Sequence, residues 1–234
     1  MAEETKIFTP NGRASFVRIY QPEVRKKPDG TDKTTYSMTL IFPEPGQISP
    51  EDDGKGIKPV SADQIRAIGD MIKAAAKLKW GDKIPANLEV PLQAKAKQVN
   101  NETGERYAGY EGDGYILKVK ADRAQPPIKL PNKQFVTQES GLFYSGAWCR
   151  ALVSAWAWEF KDQQGITKRG VTCKLWGVVT FGFGEPFGAD AVLGDDAMDA
   201  LCNQAAVEQP AIVNAAQTAG PAGDVGADVL DMFS

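Results

Sequence analysis

Two stretches decide the fold: WCRALVSAWAWEF (148–160) and TKRGVTCKLWGVVTFGF (167–183), joined by KDQQG (161–165). Both are rich in Val, Thr and aromatics, and neither keeps helical spacing. They predict two long strands closed by a turn containing Gly165. In the first, Trp156, Trp158 and Phe160 share one face, while Val153, Ala155 and Ala157 share the other. In the second, Gly177 interrupts the run and marks a bulge.

Working outward, the same period recurs. YILKVKADR (115–123) sets Tyr115, Leu117, Val119 and Ala121 against Ile116, Lys118, Lys120 and Asp122. LQAKAKQV (92–99) alternates and puts Lys95 and Lys97 on one strand face. KTTYSMTLIF (33–42) alternates too, with Tyr36, Met38, Leu40 and Phe42 together. RASFVRIY (13–20) alternates imperfectly: Phe16 and Tyr20 fall on one side, Val17 and Ile19 on the other. Pro28-Asp29-Gly30 lies between these last two runs, so they are expected to form a long basic hairpin.

One helix interrupts the strands. Ser61 and Gln64 form a capping box, and Ile65, Ile68, Ile72 and Ala75 keep helical spacing. Lys77 and Lys79 suit the C-terminal end of its dipole, and Gly81 ends it. Residues 43–60 read as a Pro- and Gly-rich loop, 100–114 as a Gly-rich aromatic loop, and 124–133 as an extended connector. There is no βαβ alternation and no long repeat. The expected fold is mainly β, a small closed or partly open β-barrel with one inserted helix and a disordered acidic C-terminal tail. The expected division is residues 1–190 for the barrel and 191–234 for the tail, where Ala, Gly, Asp and Gln dominate.

Charge separates the same two parts. The 234 residues carry 27 Lys and Arg against 30 Asp and Glu, a net charge of −3. All the bases lie in residues 1–184, where 21 acids leave a balance of +6; residues 185–234 hold nine acids and no base. A basic body joined to an acidic tail is a device for a polyanionic partner.

Histidine is absent. That removes Ser-His-Asp and Cys-His catalysis and every His-ligated metal site. Cys149, Cys173 and Cys202 have no C-x-x-C spacing and cannot close an ordinary zinc site alone. Their odd number, and a start (MAEETKIF) without a basic segment followed by an apolar one, point to a reducing cytoplasm. No membrane span is expected, and no metal or cofactor. Glu51-Asp52-Asp53 reads as a solvated acidic loop. The Gly-rich run 182–188 lacks phosphate-loop spacing and reads as a turn.

The lysine pairs Lys95 with Lys97 and Lys118 with Lys120 suggest phosphate contacts, helped by Arg123 and Arg150. Tyr107, Tyr110, Tyr115, Tyr144, Trp156 and Trp158 are the candidates for stacking on bases. For the tryptophans, alternation leaves two readings open: outward stacking platforms, or a core face that packs the helix. In the tail, Asp224, Asp228 and Asp231 precede Phe233, an acidic tether tipped by an apolar anchor.

DGYILKVKADRAQPPI (113–128), LFYSGAWCRALVSAWAW (142–158) and TKRGVTCKLWGVVTFGFGEPFG (167–188) resemble an OB-fold group of tailed-phage replication single-stranded DNA-binding proteins. The resemblance implies sequence-independent binding of single-stranded DNA by stacking and backbone contacts, in the cytoplasm of an infected bacterium. It also implies a tail that contacts replication proteins such as a DNA polymerase or primase-helicase, and no enzymatic activity. Self-association stays open. The same surface would serve a strand-annealing recombination protein. A carboxylate- and Mg²⁺-dependent nuclease and a β-barrel virion protein are the alternatives from other classes.

Overall fold

The computed structural model describes residues 4–27, 30–47, 55–100, 102–162 and 164–187. Pro28, Asp29, Glu51-Asp52-Asp53, Cys202 and the expected tail from 191 lie outside the described residues. The elements, in chain order, are β1 (Lys6–Phe8), β2 (Gly12–Lys26), β3 (Asp32–Phe42), α1 (Ala62–Trp80), β4 (Leu92–Ala94), β5 (Tyr115–Ala121), β6 (Ile128–Lys129), β7 (Trp148–Lys161) and β8 (Thr167–Thr180).

Five long strands close on themselves. β2 pairs with β3 and β3 with β5, all antiparallel. β7 returns to lie beside β2, which is the Greek-key order. β8 completes the ring, antiparallel to β7 and parallel to β5. Two seams are short: Gly12 and Arg13 pair with Cys149 and Trp148, and Val119 and Lys120 pair with Cys173 and Lys174. β1 lies along β7 (Phe8↔Leu152), β4 on β5, and β6 parallel to β8. β6 falls inside the stretch expected to be connector only.

Inside the ring, alternate residues of each strand make the core: Leu40, Phe42, Leu117, Val119, Val153 and Val178 are all buried. α1 packs on β7 and buries Ile65, Ile68, Met71, Ile72, Ala75 and Ala76 in the same cluster as Ala157 and Val171. The alanine face of β7 is therefore the one under the helix. Small residues there let the helix approach. Both halves of the expected capping box form: Gln64 N–H donates to Ser61 Oγ (3.2 Å) and Ser61 N–H to Gln64 Oε1 (2.9 Å). Gly81 ends the helix, its N–H donating to Lys77 O. The β2–β3 hairpin also forms, with Lys26 opposite Asp32.

Two expectations need correction. Residues 92–99 are not one strand. β4 stops at Ala94, opposite Tyr115 where β5 begins, so its pairing partner runs out there. Lys95–Lys97 then form a 3₁₀ turn, with Lys95 N–H donating to Gly114 O. In β2 the register slips between Ser15 and Arg18. The one extra residue of this bulge sends Phe16 outward; a second slip follows between Arg18 and Glu23, and Tyr20 there packs on the core cluster, so the two do not share a face.

Candidate nucleic-acid interface

A groove of about 1210 Å³ runs over the outward side of β2, β3, β5 and β8. Its floor comes from period-2 positions: Ser37 and Thr39 of β3, Lys118 and Lys120 of β5, and Thr172 of β8. Arg18, Arg25 and Phe16 of β2 line it too, with residues 88–94, Lys97, Gln98 and the loop residues Tyr107 and Tyr110. Trp158 of β7 also belongs to the lining.

Cations in the groove are mostly uncommitted. Arg18, Lys97 and Lys118 are exposed and Lys120 is partly exposed. None of these four forms an ion pair among the described residues. Arg25 is paired with Glu23 at 2.7 Å, and Glu89 is an acid in the lining. Unpaired cations along a trough are free to take phosphates.

Three aromatics accompany them. Phe16 is 47% exposed and sits at φ +48°, a left-handed conformation that a bulky residue rarely adopts. The bulge holds it there. Its ring meets Tyr107 edge-on, with centroids 5.1 Å apart. Trp158 is oriented by a hydrogen bond from Nε1 to Thr172 Oγ1 (2.9 Å) and stacks on Phe160 at 5.3 Å. It lies over Gly170, where an added Cβ would come within 2.6 Å of the Trp158 ring. Phe16 and Arg18 are the groove residues that sequence reasoning did not place in the site; the broken alternation of residues 13–20 was the signal for Phe16.

Tyr107 is held in place by what lies beneath the loop. Tyr110 is 1% exposed and packs with Ile41 and Ile116. Burial raises its pKa above the ordinary tyrosine value, against the lowering influence of the nearby Ser15 and Thr39 hydroxyls. Phe187 fills the space over Gly109 (φ +83°), where no Cβ would fit. Arg13 fixes this corner through the carbonyls of Gly146 and Glu185, with its guanidinium 4.7 Å from the Phe187 ring.

The expected site residues thus divide. Lys97, Lys118, Lys120, Tyr107, Tyr110 and Trp158 come together in the groove. Tyr110 reaches its lining from beneath: at 1% exposure it is buried against Ile41 and Ile116 and supports the loop. Lys95 is buried, and desolvation lowers its pKa against the pull of Glu111 and Asp113. Tyr144 packs on the core and donates from Oη to Gly184 O (2.7 Å). Arg150 donates from Nε to Thr9 O (3.2 Å) beside Phe8, away from the groove. Tyr115 and Arg123 are exposed outside it. Trp156 is 57% exposed and points outward, where it borders a cleft against α1. Asp224, Asp228, Asp231 and Phe233 lie outside the described residues.

A Greek-key ring with a cationic, aromatic trough across its outer face defines a class: the OB-type folds that hold oligonucleotides on such a surface. The family model described as Enterobacter phage Enc34, ssDNA-binding protein, matches residues 5–207, and the chain belongs to that family. Among solved structures, it is similar to the single-stranded DNA-binding protein from bacteriophage Enc34. Identity is 16% over 83% of this chain and 90% of that one, with a TM-score of 0.52. The same phage protein in complex with ssDNA is similar at 17% identity over 78% of this chain and 89% of that one, TM-score 0.53. At these identities the likeness is one of fold. No curated protein sequence matches the chain.

Proposed function

We propose that this protein binds single-stranded DNA without sequence preference, in phage DNA replication or recombination within the infected bacterium. One observation carries the reading: four cations without an ion pair among the described residues, and three exposed or half-exposed aromatics, line a single groove. Bases stack on Phe16, Tyr107 and Trp158, because every base offers a π face. Phosphates meet Arg18, Lys97, Lys118 and Lys120. Membership of a family whose model is described by ssDNA binding supports the same reading. Residues 1–190 form the DNA-binding body. Residues 191–234 are an acidic tether that recruits replication proteins through Asp224, Asp228, Asp231 and Phe233, and competes with DNA for the basic groove. The test is fluorescence anisotropy with labelled oligo-dT across a salt series. Tight binding that weakens steeply with salt is expected. No binding at low salt, or a flat salt response, overturns the proposal.

A further inference from the structure

The outward face of β7 and β8 does not end at Trp158. The register places Trp158 opposite Gly170, Trp156 opposite Thr172, and Ser154 opposite Lys174. Thr172 and Trp158 line the groove, so Trp156 is the next outward position along β7. Such positions are roughly 6.8 Å apart on a strand. Further along β8 the register slips, with Val153 facing Leu175 and Leu152 facing Gly177, so Trp176 is the extra residue of a bulge. It is 37% exposed.

Trp176 is held and surrounded by charge. Its Nε1 donates to Ser154 Oγ (2.8 Å), which fixes the ring. Lys6 Nζ lies 4.0 Å from the ring centroid and Lys174 Nζ 5.3 Å from it. Both ammonium groups lie over the indole, Lys6 the closer; once a phosphate draws a lysine aside, the fixed ring and its cations have the makings of a base-and-phosphate subsite. One carboxylate stands in it. Glu4 accepts from Ser154 Oγ (2.9 Å) and lies 3.2 Å from Lys174 Nζ. A cavity of about 480 Å³ opens between Glu4, Thr5, Lys6 and Trp176. The pair is partly exposed, and such pairs are weakly held. A phosphate can replace the carboxylate on Lys174.

We propose that a single strand leaving the groove continues over Trp156 onto Trp176, and that Glu4 closes this extension until a phosphate displaces it. The inference rests on the groove being the DNA site. Short strands then fill the groove alone, and longer ones also engage Trp176, Lys6 and Lys174.

The experiment measures affinity of the full chain for oligo-dT from about 4 to about 16 nucleotides, the range of site sizes on one OB fold. Wild type, Glu4→Gln and Trp176→Leu are compared, with tryptophan fluorescence as a second readout. Glu4→Gln is expected to raise long-strand affinity by up to about fivefold. Trp176→Leu is expected to lower it at least about fivefold. Both are expected to leave the shortest strands unaffected. Should Trp176→Leu fail to fold, Glu4→Gln still decides, since Glu4 lies outside the core. Equal long-strand affinity in wild type and Glu4→Gln, with short-strand binding intact, overturns the extension and spares the groove. No binding at any length overturns both.

Discussion

Phe16 and Tyr107 meet edge to face, ring centroids 5.1 Å apart and planes at 89°, one from a strand bulge and one from a loop. Phe16 holds that position from φ +48°, at a cost of roughly 1–2 kcal/mol for an L-residue. The ring contact returns about 0.5–1.5 kcal/mol. The two nearly cancel, so fold stability does not require a Phe here. Asn tolerates the left-handed region. Phe16→Asn is expected to leave the urea midpoint nearly unchanged while oligo-dT affinity falls about 5- to 150-fold, the loss of one stacked base. Affinity unchanged in a folded variant would remove Phe16 from the site.

Tyr110 and Tyr107 are expected to respond oppositely to loss of a hydroxyl. Tyr110→Phe removes a buried hydroxyl from beside the Ser15 and Thr39 hydroxyls, at a cost of about 0.5–1.5 kcal/mol. Tyr107→Phe removes a hydroxyl that no buried group depends on and keeps the ring. Its stability and its oligo-dT affinity should both stay near wild type. Urea unfolding of the two variants, with anisotropy on the second, checks both halves.

Lys118 and Lys120 project from alternate positions of β5 into the groove, and Arg18 and Lys97 join them from either side. Four phosphate contacts on a single strand give a slope of log affinity against log salt of about −3. Lys118→Gln or Lys120→Gln should each make that slope shallower by about 0.7. Arg150→Gln should leave it alone, because Arg150 is committed to Thr9 O. An unchanged slope in Lys118→Gln would place the phosphates elsewhere.

Cys149 and Cys173 sit inside the ring, both 0% exposed. Burial pushes both thiols up, Cys173 from 9.0 to about 12. A raised folded-state value means the unfolded chain loses its proton first. The stabilising contribution is complete below about pH 9 and is lost as pH climbs toward 12. At pH 10 the cost of keeping Cys173 protonated is about 1.4 kcal/mol. Between pH 8 and 10, wild type should therefore lose about that much more stability than Cys173→Ala. Equal losses in urea titrations at the two pH values would refute the burial argument.

Much of the fold was legible because its strands keep period 2 and its helix carries a complete capping box. The tryptophan face resolved once α1 was seen against Ala157: small residues sit where a helix packs, and large ones go outward. What failed did so for local reasons. Alternation in 92–99 is a genuine pattern, but a strand lasts only as long as its partner, and β5 ends the pairing at Tyr115. Phe16 was hidden because a bulge breaks the period by which faces are assigned. Tyr110 and Tyr107 are three residues apart in one loop, and sequence gave no means of telling the support from the platform. Tyr144 and Arg150 were chosen by residue type, and their partners, Gly184 O and Thr9 O, are far away in the chain.

The charge split makes the final prediction. Residues 208–234 carry Glu208, Asp224, Asp228 and Asp231 and no base, whereas residues 1–184 carry a balance of +6. A tethered polyanion acts at high effective concentration on a basic groove. Removing residues 208–234 should therefore tighten oligo-dT binding. The gain should be largest at low ionic strength and shrink as salt shortens the Debye length from about 30 Å at 0.01 M to about 8 Å at 0.15 M. Adding the excised segment back as a free peptide should do little, because it no longer has the tether's local concentration. Truncation with equal or weaker affinity at low salt would show that the acids serve partner recruitment without competing for the groove.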